Sequence, residues 1–374
     1  MKTLIKSGRD ITSVDDYRAD TLTVGLDGSK SCFWMGEKIL ASFVLGLAFT
    51  IGSVAQRPVS QLPIIDMHIH AELLSEFGGG ETAVCTGDQK LVLPAIDPKL
   101  PFNPQDMETC AKPIKSSATD EKLLTETIEM FRRFNIRRAV TAGPFEILDK
   151  WYAAAPDRII KAQSFADRQP SPEEFRRLFK EGKFSVFAEV GMQYRGLSPS
   201  DEVYEPYFTL AEEFDIPVAI HLGEGPPGGI HTIGPPKYLV AMGSPLLLEK
   251  VLVRHPKLRV YVMHYGSPLV DEMIAMLFSH PNLYVDIACN NWGFPRKQFY
   301  EALRKMVDAG FEKRIMFASD QMAWPGTIAK AIETVEQAPF LTRSQKRDIF
   351  YNNAARFLRL TKDEIAADHR SSKK

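Results

Sequence analysis

The sequence has little net charge and few cysteines, and it lacks the short motifs of several large enzyme classes. Its 46 Lys and Arg residues against 47 Asp and Glu give a formal charge of −1. This balance argues against a nucleic-acid-binding or polybasic membrane-binding surface. The sequence contains no G-x-S-x-G elbow, no P-loop and no H-E-x-x-H motif. We therefore predict a small-molecule substrate and no nucleic-acid partner.

An uncharged apolar run at residues 39–55 reads ILASFVLGLAFTIGSVA. It is short for a membrane span, which needs about 20 residues, and close to the about 7–15 residues of a signal-peptide core. Ser53-Val54-Ala55 supplies small residues for cleavage before Gln56. We predict that residues 1–55 are an extension with a signal peptide, with translation starting at Met35, so that the protein is exported, periplasmic or secreted. The alternatives are an uncleaved membrane anchor and a buried helix; after cleavage no stable membrane insertion is expected.

Three of the four cysteines follow this segment. Cys85 and Cys110 flank a proline-rich stretch, LVLPAIDPKLPFNPQD, that has little regular periodicity. In an oxidising compartment a disulfide would order such a loop, and the chain-entropy model gives about 3–3.5 kcal/mol for a loop of this size. We predict a Cys85–Cys110 disulfide, with two unrelated thiols as the alternative. Cys289 is then a lone buried thiol.

From residue 62 to residue 360 short apolar runs alternate with amphipathic helical stretches. The runs are rich in Val, Ile and Phe and almost continuously apolar, as strands covered on both faces should be. The eight predicted strands are Pro63–Ile69, Arg137–Ala142, Ile159–Phe165, Ser185–Val190, Pro217–His221, Arg259–His264, Leu283–Ile287 and Arg314–Ser319. Eight strand–helix units predict a single-domain α/β fold, a (β/α)₈ TIM barrel over residues 62–360. A polar C-terminal tail follows at 361–374.

An open, doubly wound sheet is the alternative fold. It would require a glycine-rich phosphate-binding turn after the first strand. The first strand here is followed by His68-Ile69-His70 instead, which favours the barrel.

Histidines and an aspartate stand at the carboxyl ends of the predicted strands. His68 and His70 end the first strand and, being two residues apart, project from the same face. His221 and His264 end the fifth and sixth strands, and Asp320 follows the eighth. In a TIM barrel these strand ends form one rim that holds the active site. We therefore predict that the five side chains converge, and two neutral imidazoles so spaced can share a divalent ion.

This pattern resembles the amidohydrolase superfamily, and in detail its amidohydrolase-related branch, which includes the aminocarboxymuconate-semialdehyde decarboxylase type. The resemblance covers about residues 62–360. It is carried by residues 65–70, 217–223, 255–266, 314–320 and 352–357. Because this family includes hydrolases, decarboxylases and hydratases, the resemblance implies a site more closely than a reaction.

The resemblance also implies one bound divalent metal and a role for each polar side chain. The implied ligands are His68, His70, His221 and Asp320. Asp320 would in addition handle the proton of the attacking water, and His264 would polarise or orient the substrate. Many relatives place a carboxylated lysine on strand four, where this sequence has Glu189; that residue would ligate the metal, bridge a second one, or accept a hydrogen bond from a ligand histidine. The ligand types favour zinc, and manganese or iron also fits them.

Further residues belong to the same rim by topology. The predicted substrate-binding residues are His231, Arg195, Asn291 and Trp324. We predict a metal-dependent hydrolase acting on a small amide, lactone or ester. The alternatives are a non-oxidative decarboxylase or hydratase of a small carboxylic acid and, from another class, a secreted binding protein on a barrel scaffold. A homodimer is expected by analogy alone.

Overall fold

The computed structural model describes residues 58–101, 109–165, 169–232 and 238–370. The predicted signal-like run at 39–55 and its cleavage site lie outside these residues. Among the helices that are described, none combines the length and the apolar character needed to cross a membrane.

In the described part of the chain, eight parallel strands form one sheet whose order follows the sequence. Their bounds are β1 Ile64–His70, β2 Ile136–Ala142, β3 Ile159–Gln163, β4 Val186–Val190, β5 Val218–His221, β6 Val260–Met263, β7 Tyr284–Asp286 and β8 Ile315–Met316. The segment after β8 returns to β1. The Met67 N–H donates to the Phe317 carbonyl at 3.1 Å, and the Asp320 N–H donates to the His68 carbonyl at 3.0 Å. These bonds close the barrel, and the predicted (β/α)₈ fold is confirmed.

Helices follow the strands and cover the outside of the barrel. Their bounds are α1 Asp120–Arg133, α2 Phe145–Ala154, α3 Pro172–Lys180, α4 Glu205–Glu213, α5 Gly229–Thr232, α6 Glu249–Arg254, α7 Val270–Ser279, α8 Asn290–Gly293, α9 Arg296–Asp308, α10 Gly326–Gln337, α11 Arg343–Arg347, α12 Asn353–Phe357 and α13 Lys362–Arg370. A π-helical turn at Asp348–Asn352 joins α11 to α12. Local sequence sets the helix starts: the Ser171 hydroxyl accepts from the Glu174 N–H at 3.2 Å, and Pro172 occupies the first turn.

The barrel has an inner and an outer apolar layer. Ile65 and Met67 of β1 face the interior cluster, whereas Ile64 and Ile69 pack with the surrounding helices. Pairing between β1 and β2 shifts register between Asp66 and Ile69. The strand therefore departs from simple alternation close to its carboxyl end, where the histidines stand.

A long excursion separates β1 from α1 and contains a two-stranded antiparallel ribbon, Ala83–Val84 with Ile114–Lys115. Cys85 and Cys110, the predicted pair, are joined by a disulfide with a Cα–Cα distance of 5.8 Å. Cys289 lies outside the disulfide and is partly buried. The excursion is thus tied at the end of the ribbon.

Gly87 fixes this excursion to the rim of the barrel. Its N–H donates to the Trp292 carbonyl at 2.7 Å, and its own carbonyl accepts from the Arg296 N–H at 2.9 Å. A Cβ atom at Gly87 would lie 1.5 Å from the Phe294 carbonyl oxygen. Only glycine allows the two backbones to approach this closely.

The predicted polar tail at 361–374 contains a docked helix, α13. Asp368 is buried there and accepts from Arg138 Nε at 2.8 Å and from the Tyr351 hydroxyl at 2.7 Å. Arg138 lies near the start of β2. The helix therefore packs toward the amino end of the strands, away from the histidine-bearing rim.

Candidate metal centre

Three of the predicted ligands lie together where β1 meets the segment after β8. His68 Nε2 and His70 Nε2 are 3.0 Å apart. Asp320 Oδ1 lies 2.9 Å from His70 Nε2 and 3.3 Å from His68 Nε2. The backbone bond from Asp320 to His68 that closes the barrel brings these side chains to the same point. We call His68, His70 and Asp320 the first ligand group.

His221, the fourth predicted ligand, lies in a second group with Glu189 and His264. His221 Nδ1 is 3.1 Å from His264 Nε2 and is hydrogen-bonded to Glu189 Oε1. The other carboxylate oxygen, Glu189 Oε2, is 3.3 Å from His68 Nε2 and 3.5 Å from His70 Nε2. Glu189 thus stands between the two groups, with one oxygen toward each.

The donor atoms of the first group fit a divalent cation. Two ligand atoms that are each about 2.1 Å from an ion lie about 3.0 Å apart when at right angles around it and about 3.4 Å apart in a tetrahedral arrangement. The three distances of 2.9, 3.0 and 3.3 Å match this spacing. Unprotonated imidazole nitrogens also repel one another unless a proton or a cation lies between them. The chemistry of these donors, nitrogen with carboxylate oxygen, is that of zinc and neighbouring transition metals.

Both carboxylates of the cluster remain ionised. Burial by itself would raise the pKa of Asp320, but His68 and His70 hold it below its usual value. Burial likewise opposes ionisation of Glu189, and His68 and His221 keep its pKa well below the usual value. Two negative charges held beside four imidazoles make the site attractive to a cation.

The pKa values of the histidines in the cluster are shifted in different directions. Burial would lower the pKa of His70, but hydrogen bonds with Asp320 and Glu72 bring it well above the usual value. His264 is raised to a pKa of about 9 by the hydrogen bond with Glu189, again against burial. Burial and the neighbouring His264 lower the pKa of His221. Without a cation, protons therefore occupy part of the cluster.

Two buried aspartates that the sequence analysis missed support the strand ends. Asp66 Oδ1 accepts from the His68 N–H at 3.1 Å and from the Ser319 N–H at 2.9 Å. Burial raises the pKa of Asp66 to about 7 against these bonds. Asp286 Oδ1 accepts from the His264 N–H at 2.8 Å. Asp66 interrupts the apolar run of β1 and Asp286 ends β7, and a charged residue within or at the end of such a run is a signal that could have identified both.

A cavity of about 270 Å³ opens beside the cluster. It is lined by His70, Glu72, Ala142, Ser164, Phe165, Glu189, Val190, Gly191, Tyr194, Arg195 and Tyr204. The Tyr194 hydroxyl lies 2.9 Å from His221 Nε2. Arg195 was predicted to bind substrate, and its guanidinium donates to the Phe165 carbonyl at 2.7 Å and to Gln169 Oε1 at 3.1 Å. The cavity therefore joins the candidate ligands to polar and aromatic walls.

The other predicted substrate-binding residues do not line this cavity. Asn291 is buried, and its Nδ2 donates to the Ala318 carbonyl at 2.8 Å. Trp324 is buried against Phe77, with ring centroids 5.8 Å apart. His231 lies exposed in α5, in the loop after β5. Asn291 and Trp324 thus occupy places in the packing of the rim.

Fold and site together define a TIM-barrel protein with a candidate metal centre at the carboxyl ends of its strands. The family model described as Amidohydrolase matches residues 65–360. The chain therefore belongs to the amidohydrolase family. A search among curated proteins finds no match.

Solved structures are similar to this chain at low sequence identity. An uncharacterized TIM-barrel protein from Bordetella bronchiseptica is 19% identical, with a TM-score of 0.53 over 66% of this chain and 86% of the other. A probable 2-pyrone-4,6-dicarboxylic acid hydrolase from Acinetobacter baumannii, with citric acid bound, is 13% identical, with a TM-score of 0.49 over 79% and 99%. A 5-carboxyvanillate decarboxylase from Novosphingobium aromaticivorans, complexed with manganese and 4-hydroxy-3-methoxy-5-nitrobenzoic acid, is 17% identical, with a TM-score of 0.46 over 62% and 79%.

Proposed function

We propose that the protein is a metal-dependent hydrolase acting on a small-molecule amide, lactone or ester. The observation that carries the proposal is the first ligand group, whose three donor atoms lie 2.9 to 3.3 Å apart beside a cavity. Convergence of imidazole and carboxylate donors at the carboxyl rim of a barrel is the arrangement expected of a catalytic metal site. Zinc suits the three histidines and one carboxylate first proposed as ligands.

Each part of the cluster has a role in this proposal. His68, His70 and Asp320 would hold the cation, with His221 and Glu189 completing its surroundings. When bound, such an ion supplies a Lewis acid that polarises a carbonyl and lowers the pKa of water. Asp320 would accept the proton of the attacking water and pass it to the leaving group. His264 would hydrogen-bond the oxygen on which negative charge develops.

The second candidate reaction is non-oxidative decarboxylation or hydration of a small carboxylic acid. The observation that favours it is Arg195, which brings a guanidinium to the wall of the cavity. Guanidinium groups bind carboxylates with a matching planar geometry. The carboxylates of Glu72 and Glu189 line the same cavity and disfavour a substrate with several negative charges.

Metal content is the first test, made on the full-length protein beside the Asp320→Ala variant. Plasma mass spectrometry is expected to find zinc or manganese in the wild type and less in the variant. Circular dichroism should show that both are folded. No metal in either folded protein would remove the proposed mechanism and favour the binding-protein alternative.

The reaction is tested next with the metal-loaded protein. A panel of lactones, amides and esters is followed by acid release, and a panel of aromatic carboxylates by release of carbon dioxide. Acid release that is abolished in Asp320→Ala supports the hydrolase. Carbon dioxide release without hydrolysis would replace it with the decarboxylase.

A further inference from the structure

Asp286, at the end of β7, is fully buried and lies close to one residue of each ligand group, His68 and His264. Its Oδ1 accepts two backbone N–H groups, from His264 at 2.8 Å and from Ala288 at 3.1 Å. Its Oδ2 lies 3.8 Å from His68 Nδ1. Among the residues that the structure describes, neither Asp286 Oδ2 nor His68 Nδ1 has a hydrogen-bond partner. A buried carboxylate oxygen and a buried imidazole nitrogen each need a hydrogen-bond partner. Asp286 Oδ2 and His68 Nδ1 can supply this partner to each other.

The two nitrogens of His68 have different surroundings. Nε2 faces His70 Nε2 and Asp320 Oδ1, at 3.0 and 3.3 Å. A nitrogen that binds a cation must offer a lone pair, so the single proton of a neutral ring must then sit on the other nitrogen. That nitrogen is Nδ1, the one facing Asp286. A hydrogen bond from Nδ1 to Asp286 would fix this tautomer.

The same aspartate also holds His264. The backbone N–H of His264 is bound to Asp286, and its ring Nδ1 lies 3.1 Å from the Ala288 carbonyl. A proton on Nδ1 donated to that carbonyl holds the ring in place, with Nε2 facing His221 Nδ1 at 3.1 Å. Asp286 thus contacts histidines from β1 and from the turn after β6, which belong to different ligand groups.

We propose that Asp286 is the positioning residue of the metal centre, which fixes the Nδ1–H tautomer of His68 so that its Nε2 lone pair faces the cation, and which holds the backbone of His264 beside the second ligand group. This inference rests on the proposed metal-dependent function. Mutation of a group that hydrogen-bonds the second ring nitrogen of a ligand histidine lowers metal affinity or activity by about 10- to 100-fold. An effect of this size is expected for Asp286.

Asp286→Asn is the sharpest variant because it keeps the volume of the side chain. Three donors converge on this carboxylate: two backbone N–H groups and the His68 ring. An asparagine offers one acceptor oxygen and a donor NH₂ group. If the oxygen stays with the backbone, the NH₂ group faces His68 Nδ1 and drives the ring proton to Nε2, on the cation side.

The control is Asp368→Asn, which changes another buried aspartate, on α13 at the opposite end of the barrel. Zinc dissociation constants of the three full-length proteins are measured by competition with a chromophoric chelator. We expect binding about 10- to 100-fold weaker in Asp286→Asn and unchanged in Asp368→Asn. Equal zinc affinity of wild type and Asp286→Asn, with both folded, would overturn the proposal.

A second measurement uses the wild type alone and does not depend on the folding of a variant. Long-range proton–nitrogen spectra of the zinc-loaded, histidine-labelled protein report which nitrogen of each ring carries the proton. The His68 signals are assigned by their loss in His68→Gln. A proton on Nδ1 with zinc on Nε2 is expected, and the opposite tautomer would refute the inference.

The outcomes separate this inference from the proposed function. If the wild type binds neither zinc nor manganese, the metal-dependent function itself fails. If it binds zinc but Asp286→Asn loses one oxygen ligand by X-ray absorption, Asp286 is a direct ligand, and the positioning role is wrong.

Discussion

At the scale of single residues, Tyr194 links a candidate metal ligand, His221, to the cavity. Its ring lies against His221, with centroids 4.7 Å apart, and a Cβ atom at Gly191 would lie 2.6 Å from the Tyr194 ring. If His221 offers Nδ1 to the cation, its Nε2–H donates to the Tyr194 oxygen at 2.9 Å. The Tyr194 hydroxyl proton is then available to an acceptor in the cavity. Tyr194 would therefore stabilise negative charge on the substrate.

Tyr194→Phe is expected to lower kcat about 100-fold, the effect of losing one donor to a developing oxyanion, while metal content stays unchanged. Steady-state kinetics with the substrate class found by the panel measures this effect. Tyr300→Phe is the matched control, because its hydroxyl donates to the Thr334 carbonyl in the outer helix layer. A loss confined to metal content would show that Tyr194 only supports His221.

Metal binding at neutral pH is expected to release a proton from His70. The pKa of this ring is raised well above its usual value by Asp320 and Glu72, against burial, so the metal-free ring is protonated at pH 7. A ligand nitrogen must be deprotonated, and the metal therefore displaces the proton. As pH rises through the raised pKa, proton release should fall and apparent affinity should grow.

Calorimetric titration in two buffers with different ionisation enthalpies measures this proton release. His255→Gln serves as the control, because His255 lies between Glu205 and Glu212, outside both ligand groups. The His255→Gln variant should release the same number of protons on metal binding as the wild type. Heats that do not depend on the buffer would contradict the assignment of a protonated His70.

At the scale of elements, the disulfide is the feature whose effect can be isolated. In the described part of the excursion after β1, Leu93 and Leu100 are 64% and 65% exposed. Few packing contacts therefore hold residues 91–101, which lie between Cys85 and Cys110. Cys85→Ser is expected to lower the free energy of unfolding by about 2–4 kcal/mol. Urea unfolding measures the change, and cleavage near residues 91–101 in limited proteolysis should increase.

Cys289→Ser is the control for the disulfide, because it removes a thiol without opening a loop. It should leave both the unfolding curve and the proteolysis pattern close to those of the wild type. Equal stability of Cys85→Ser and wild type would mean that the contacts of Gly87 with the rim suffice to hold the excursion.

The elements also show what the sequence could and could not predict. Strands buried on both faces must be continuously apolar, so all eight were recognisable, and the polar residues ending them marked the rim. The grouping of these residues was not predictable, because it depends on which side chains face each other across the barrel. Glu189 belongs to one strand, yet its two oxygens face His68 and His221 from two others.

Supporting residues were missed for related reasons. Asp286 acts through atoms of His68 and His264, which are distant in sequence. The role of Gly87 depends on the carbonyl of Phe294 across the rim. Helix α13 was predicted to be part of the tail because its residues are polar. The burial of Asp368 depends on its contacts with Arg138 and Tyr351. Such contacts follow from tertiary proximity rather than from local pattern.

At the scale of the whole molecule, the candidate ligands tie together distant parts of the barrel. Those of the first group come from β1 and from the segment after β8, which are the two ends of the closed sheet. Those of the second group come from β4, β5 and the turn after β6. A cation can contact both groups only in the folded state, because the unfolded chain does not bring them together. Metal binding should therefore stabilise the entire barrel against unfolding.

Removing the metal is expected to lower Tm, and restoring it at 100 times its Kd should recover about 2.7 kcal/mol of stability. Differential scanning calorimetry with and without chelator measures the shift. Asp320→Ala is the informative control: it lacks a ligand of the first group, so its Tm should respond much less to added zinc or manganese. An equal response in both proteins would place the stabilising ion elsewhere in the molecule. A wild-type Tm insensitive to chelator, with metal shown to be removed, would mean that the closed sheet holds the ligand groups together without an ion.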